Sequence, residues 1–242
     1  MHLYIIRHAD PDYERDSLTE QGFREAEALA GRLELHGVTR VYASTAGRAL
    51  ATARSYAERR GLAVDGLPWL REPAHLSVEQ GGRSYSLWDA FGETVRAGTA
   101  PPTQETWAQR APFDAREIRQ MWRAFRSNAD ALLASLGFAR EGGRYRIVPP
   151  AASEARPQRV AVVCHNGTIL LWLAHLLELP PPLVFCGFYA WPASVTTVFM
   201  ESHSAAWAVP RALGVADVSH LISAGLTPRP RALGSEPYQA YL

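Results

Sequence analysis

Three short stretches place cationic and nucleophilic side chains at the ends of apolar runs: Arg7-His8 after Leu3 to Ile6, Ser44, Thr45 and Arg48 after Val38 to Ala43, and Cys164-His165 after Val160 to Val163. Such runs read as strands, and in open α/β sheets ligands gather beyond the carboxyl ends of the strands. Two histidines and two arginines then converge on one edge. Phosphoryl transfer suits that set, because a neutral imidazole can attack phosphorus in line while guanidinium forks hold the non-bridging oxygens in pairs. A second histidine beside the phosphate can add a hydrogen bond. Taken alone, Arg7-His8 also fits a histidine that only satisfies a strand end. A metal is the competing use of two histidines, but the adjacent arginines repel a cation and no third ligand is closely spaced, so no metal is expected. Cys164 resembles a nucleophile only by standing next to His165, and neighbours on an extended strand point to opposite faces.

Composition narrows the chemistry further. The 242-residue chain carries Lys+Arg 25 against Asp+Glu 24, and none of the cations is a lysine, which removes a lysine Schiff base and a P-loop lysine from consideration. The arginines are scattered among acids, so no nucleic-acid footprint is expected and any bound anion should be small. Two cysteines, Cys164 and Cys186, form neither a disulfide framework nor a metal cluster, which points to a reducing, cytoplasmic setting. There is no basic leader and no apolar stretch of roughly eighteen residues, so neither secretion nor membrane spanning is expected. The length suits one domain.

Around the candidate residues the elements alternate. After the first strand, Phe23 to His36 has Ala26, Leu29, Ala30 and Leu33 at helical spacing, with Thr19 or Ser17 as its cap. Val38 to Ala43 reads as a strand, Arg48 to Arg60 as a helix and Leu62 to Leu70 as a third extended segment. This repetition with short links implies a layered α/β sheet. Glu72 to Pro112 has no sustained period and reads as an irregular insertion with a binding or lid role. Phe113 to Phe138 is a helix, Gly142-Gly143 to Arg159 a connector, Val160 to Cys164 a strand, and Thr168 to Leu179 an apolar helix stopped by Pro180-Pro181-Pro182. Ser194 to Met200 alternates like a later strand, and the proline-bearing tail from Gly225 reads as an arm, leaving a homodimer clasp open.

Together the motifs Leu3-Tyr4-Ile5-Ile6-Arg7-His8-Ala9, Ser44-Thr45-Ala46-Gly47-Arg48-Ala49-Leu50-Ala51-Thr52-Ala53 and Val162-Val163-Cys164-His165-Asn166-Gly167 resemble the histidine phosphatase superfamily, also called the phosphoglycerate mutase-like family. Ala216 to Leu221 is similar to a C-terminal element common in that family. Ala9 stands where the family's arginine-histidine-glycine signature has glycine, an added methyl that leaves the charge chemistry intact and leaves open whether the phosphate loop is crowded. The resemblance implies a three-layer α/β/α sandwich with a mostly parallel central sheet: one domain over 1–242, with 73–159 as a partly helical lid and 225–242 as the arm. It implies that His8 is the phosphorylated nucleophile, that Arg7 and Arg48 bind the phosphoryl oxygens, and that His165 completes the pocket without a cofactor. Leu70-Arg71-Glu72 matches the family's leucine-x-glutamate motif, which makes Glu72 the proton donor, although Pro73-Ala74-His75 replaces the usual glycine and tryptophan context. Asp10, Glu79 and Glu93 are reserves for that role.

Asn166 and Ser44 are secondary candidates: Asn166 to orient His165, touch phosphate or cap a helix, Ser44 to donate to phosphate or satisfy backbone. His75, His203 and His220 read as structural or surface histidines. The expected activity is hydrolysis of a small-molecule phosphomonoester through a phosphohistidine, as in acid-type histidine phosphatases. A mutase is the alternative, but the family's mutases have a longer segment after the arginine-histidine pair, with an asparagine; here Asp10 to Asp16 is short, acidic and lacks one. A noncatalytic phosphate-binding or scaffold domain is the reading from another class. Tyr85, Trp88, Phe91 and Trp107 either wall a substrate pocket or pack the insertion onto the sheet, and Arg83, Arg96 and Arg110 either extend the anion grip or lie in solvent.

Overall fold

A computed structural model describes residues 1–98, 100–148 and 159–230. The chain starts with β1 (His2–Arg7), then the two-residue strands β2 (Pro11–Asp12) and β3 (Ser17–Leu18), α1 (Glu20–Leu35), β4 (Arg40–Ser44), α2 (Gly47–Arg60) and β5 (Val64–Leu67). Next come β6 (Ser77–Gln80), β7 (Arg83–Ser86), a 3-10 turn over Leu87–Asp89, α3 (Gly92–Val95), α4 (Arg116–Ser135), β8 (Phe138–Glu141) and β9 (Arg144–Ile147). The last part holds β10 (Arg159–Cys164), α5 (Asn166–Leu176), α6 (Pro181–Phe185), β11 (Val195–Glu201), β12 (Trp207–Asp217) and α7 (Ser219–Ser223).

The central sheet runs β5-β4-β10-β1-β11-β12-β9-β8. Its first four strands are parallel and the remaining pairs antiparallel. Helices cover both faces, giving the three layers. On one face Leu3, Ile5, Val160 and Val162 pack with α4 and α5; on the other Tyr4, Ile6, Ala161 and Val163 pack with α1 and α2. Burial on both sides is why these strands are unbroken apolar runs, each fully buried large side chain contributing about 1.5–3 kcal/mol. Because β4, β10 and β1 are adjacent and parallel, their carboxyl ends share one edge.

Local chemistry sets the boundaries. Thr19, not Ser17, caps α1, its Oγ1 accepting from Gly22 N–H at 3.0 Å. Gly61, at φ +61°, closes α2 in the left-handed conformation. Every residue of α5 is buried, which is why its middle, Ile169 to Ala174, is an unbroken apolar run. The three prolines after it also start a helix, α6, with proline at its first positions.

Two readings need correction. The stretch beginning at Gly142-Gly143 is not a plain connector: Gly142 adopts φ +63° in the turn between β8 and β9, which pair antiparallel and continue the sheet. Residues 149–158 of that stretch lie outside the described residues, as do 231–242 of the tail. The insertion is not wholly irregular, since Gly81-Gly82 turns β6 into β7. Among the described residues no helix is long and apolar enough to cross a membrane.

Candidate active site

Arg7 ends β1, and His8 follows it with its backbone N–H donating to Cys164 O at 2.9 Å, so the ends of β1 and β10 are tied together. The His8 ring is buried, and its Nδ1 lies 2.8 Å from Ala9 O. A carbonyl only accepts, so Nδ1 carries the hydrogen and Nε2 keeps its lone pair. That lone pair faces Arg48 Nε at 3.3 Å. Burial, His165 and Arg7 hold the His8 pKa well below its ordinary 6.5, which keeps the ring neutral and nucleophilic.

Arg48, in the first turn of α2, is fixed from three sides. Nη1 donates to Asp16 Oδ1 at 2.6 Å, Nε to His8, and Nη2 to His165 Nδ1 at 3.3 Å. Asp16 is itself held by Gly47 N–H at 2.8 Å, and any Cβ on Gly47 would collide with its backbone oxygen. Since Arg48 can only donate, His165 Nδ1 is bare and Nε2–H donates to Ser44 Oγ at 2.9 Å. Burial, with Arg48 and Arg7, pushes the His165 pKa down to about 3. The two imidazoles stand 5.1 Å apart, edge to face.

Arg7 is aimed by Tyr189 and Ala190: Nη1 donates to the Tyr189 hydroxyl at 3.0 Å and to Ala190 O at 2.7 Å. Ala190 is in turn fixed by Asn166 Oδ1, which accepts its N–H at 3.0 Å. Asn166 thus acts on Arg7 from behind rather than capping α5, whose cap position is His165. Ser44 serves His165 and also accepts from Ala46 N–H, at 3.3 Å.

Glu72 reaches the same edge from the opposite wall. Its Oε1 accepts from Gly167 N–H at 2.7 Å, at the positive end of α5. Burial raises its pKa against the pull of Gly167, Arg7 and Arg48, as a proton donor requires. Asp89, unremarked in sequence, stands close enough to Glu72 and Arg7 for both charges to act on it, and burial and the Glu72 carboxylate push it up to about 6.

The reserves lie elsewhere. Asp10 is buried and accepts from Thr19 Oγ1 at 2.7 Å, while Glu79 and Glu93 are exposed. His75 and His203 are exposed, and His220 Nδ1 sits 3.2 Å from Arg32 Nη1. Burial pushes the Cys164 thiol far up, which makes it inert, and the side chain packs in the core with α5. Ala9 packs with Leu18, Ala26 and Ala193, and its N–H donates to Thr52 Oγ1 at 3.1 Å. The aromatic set divides: Trp107 packs on Phe113 and Trp122, Tyr85 on Phe91, and Trp88 lines a cavity of about 500 Å³ beside Asp89 and Tyr189. Among the described residues no group of three or more His, Cys, Asp or Glu side chains is placed to hold a metal ion.

Sequence reasoning missed Asp16, Asp89 and Tyr189. Asp16 had one signal, its place among the acids just after His8; the others come from the insertion and from the segment after α6, with no motif to mark them.

The sequence model described as histidine phosphatase superfamily (branch 1) matches residues 3–148, more than half of the chain. No curated protein matches the sequence. Among solved structures, a phosphoserine phosphatase mutant from Entamoeba histolytica in complex with phosphoserine is similar at 19% identity and a TM-score of 0.59, over 91% of this chain and 98% of that one. A mycobacterial glucosyl-3-phosphoglycerate phosphatase is similar at 24% identity and 0.56, over 88% and 97%. The alpha-ribazole phosphatase from Shigella flexneri is similar at 18% and 0.53, over 90% and 97%. At these identities the likeness is one of fold.

Proposed function

The chain belongs to the histidine phosphatase superfamily (branch 1), and on that premise we propose that it hydrolyses a small phosphomonoester with His8 as nucleophile, Arg7 and Arg48 as phosphoryl ligands, His165 as their companion and Glu72 as proton donor. The observation that carries this reading is the His8 ring: its hydrogen is committed to Ala9 O, leaving a bare Nε2 directed at the Arg48 guanidinium.

An arriving phosphoryl group takes over the Arg48 and Arg7 donors, which compensate its charge in a dry site. The Nε2 lone pair forms the phosphorus–nitrogen bond as the ester phosphorus–oxygen bond breaks, and Glu72 gives its proton to the leaving oxygen. Ala9 O stabilises the positive charge that develops on the imidazole through the Nδ1–H. Glu72, now a carboxylate, takes a proton from water as that water attacks phosphorus; the phosphorus–nitrogen bond breaks and His8 returns to its neutral form. The guanidiniums supply the positive charge throughout, so no step draws on a metal. We take the chain as a single domain, with the described residues Trp88, Asp89, Ala90 and Gly92 of the 73–159 insertion walling the cavity beside the site.

The test is phosphate release from a panel of phosphomonoesters without added metal, wild type beside His8→Ala. Release by wild type alone supports the reading, and equal release by both contradicts it. Silence from wild type contradicts hydrolysis and shifts weight to transfer onto a specific acceptor or to binding alone.

A further inference from the structure

The phosphoryl pocket leaves the other half of the substrate unaccounted for. If Glu72 protonates the leaving oxygen, the alcohol portion must lie on the Glu72 side. Glu72 is held by Gly167 N–H, and Gly167 lacks a side chain because Trp88 presses on it: a Cβ there would come within 2.2 Å of the indole. Trp88 and Asp89 face the cavity of about 500 Å³, whose wall continues through Asn166, Phe185, Phe188 and Tyr189. Tyr189 and Asn166 are also the residues that aim Arg7. The cavity therefore adjoins the supports of both the proton donor and the phosphate ligand, and its volume falls in the range of small-molecule pockets.

Among the described residues of that wall the single charged side chain is Asp89. A carboxylate set among aromatic rings is the chemistry that recognises an organic cation, the rings offering their negative faces and the carboxylate a full charge. An anionic leaving group would meet the Asp89 carboxylate as a like charge. We propose that this cavity receives the alcohol part of the ester and that Asp89 selects a leaving group bearing an alkylammonium nitrogen on a small apolar body.

This inference rests on the hydrolase reading above and adds the substrate class to it. With its pKa at about 6, Asp89 is mostly ionised at neutral pH. A cation beside it favours that form, and the Asp89 charge in turn favours keeping a proton on Glu72, where the reaction needs it.

The experiment compares kcat/KM for phosphocholine with that for 3,3-dimethylbutyl phosphate, its uncharged carbon isostere, in wild type and in Asp89→Asn, with p-nitrophenyl phosphate run alongside. Wild type is expected to prefer phosphocholine by about tenfold or more, and Asp89→Asn to bring the ratio towards one. Because the readout is a ratio within one preparation, partial loss of folded variant does not disturb it, and the wild-type ratio needs no variant. A wild-type ratio at or below one, or a ratio unchanged in Asp89→Asn, overturns the inference while leaving hydrolysis standing. Silence towards every ester, p-nitrophenyl phosphate included, overturns the hydrolase reading and this inference with it.

Discussion

The two sides of Glu72 are built differently. On one side the phosphoryl pocket comes from strand ends and helix starts, and nearly every polar atom in it is committed: His8 Nδ1 to Ala9 O, Arg48 to Asp16 and both imidazoles, His165 to Ser44. On the other side the cavity is walled by the 3-10 turn at Leu87–Asp89 and the segment after α6, with aromatic faces and one carboxylate. The first arrangement tolerates little change, because each group fixes the next. The second rests on packing, which accepts exchange of one apolar side chain for another. On the proposed function, phosphoryl transfer falls to the rigid half and discrimination between alcohols to the half that can vary.

Substitution on the rigid side sharpens that contrast. Glu72→Gln should lower kcat/KM for alkyl phosphates by about 10²- to 10⁴-fold, with much less effect on kcat/KM for p-nitrophenyl phosphate, whose leaving group needs no proton, while kcat falls for both because Glu72 also activates the attacking water. A donor must be protonated, and the Glu72 pKa is raised, so wild-type activity should be lost as pH rises through that pKa; in Glu72→Gln the alkaline limb should vanish. Retention of the limb would move the acid role to another group. Asp16→Asn frees Arg48 from one of its three partners and should raise KM by roughly three- to tenfold, with a smaller change in kcat. An unchanged KM would show that the two imidazoles alone orient the guanidinium.

The smallest expected effect is on stability. Burial keeps the His8, His165, His175 and His220 pKa values below their ordinary 6.5, at about 3 for His165 and about 4 for His220. The unfolded chain takes up protons near pH 6.5 while the folded one resists, so stability is present above pH 6.5 and declines as pH falls towards 4. Thermal unfolding should show a lower midpoint at pH 5 than at pH 7. A midpoint independent of pH over that range would mean that the rings are not buried as neutral groups.

Legibility in the sequence follows the same division. The parallel half was readable because strands buried on both faces leave unbroken apolar runs, as in Leu3 to Ile6 and Val160 to Val163, and the reactive residues stand where those runs stop. The antiparallel half was harder: β12 contains Pro210 and Gly214 and leaves Val209 and Leu213 exposed, so no clean alternation marks it. The Gly-Gly pairs at 81–82 and 142–143 were available turn signals, since both sit in hairpins with positive φ at the turn. Asp16, Asp89 and Tyr189 acquire meaning only through tertiary approach to Arg48, Glu72 and Arg7, which no local spacing encodes.

The central claim is that His8 Nε2 forms a bond to phosphorus, and rapid quenching tests it most directly. Wild type mixed with a ³²P-labelled phosphomonoester and quenched in alkali should carry label on the peptide containing His8, stable to base and lost in acid, and His8→Ala should carry none. Turnover without a labelled peptide, or label on a peptide lacking His8, would contradict the account.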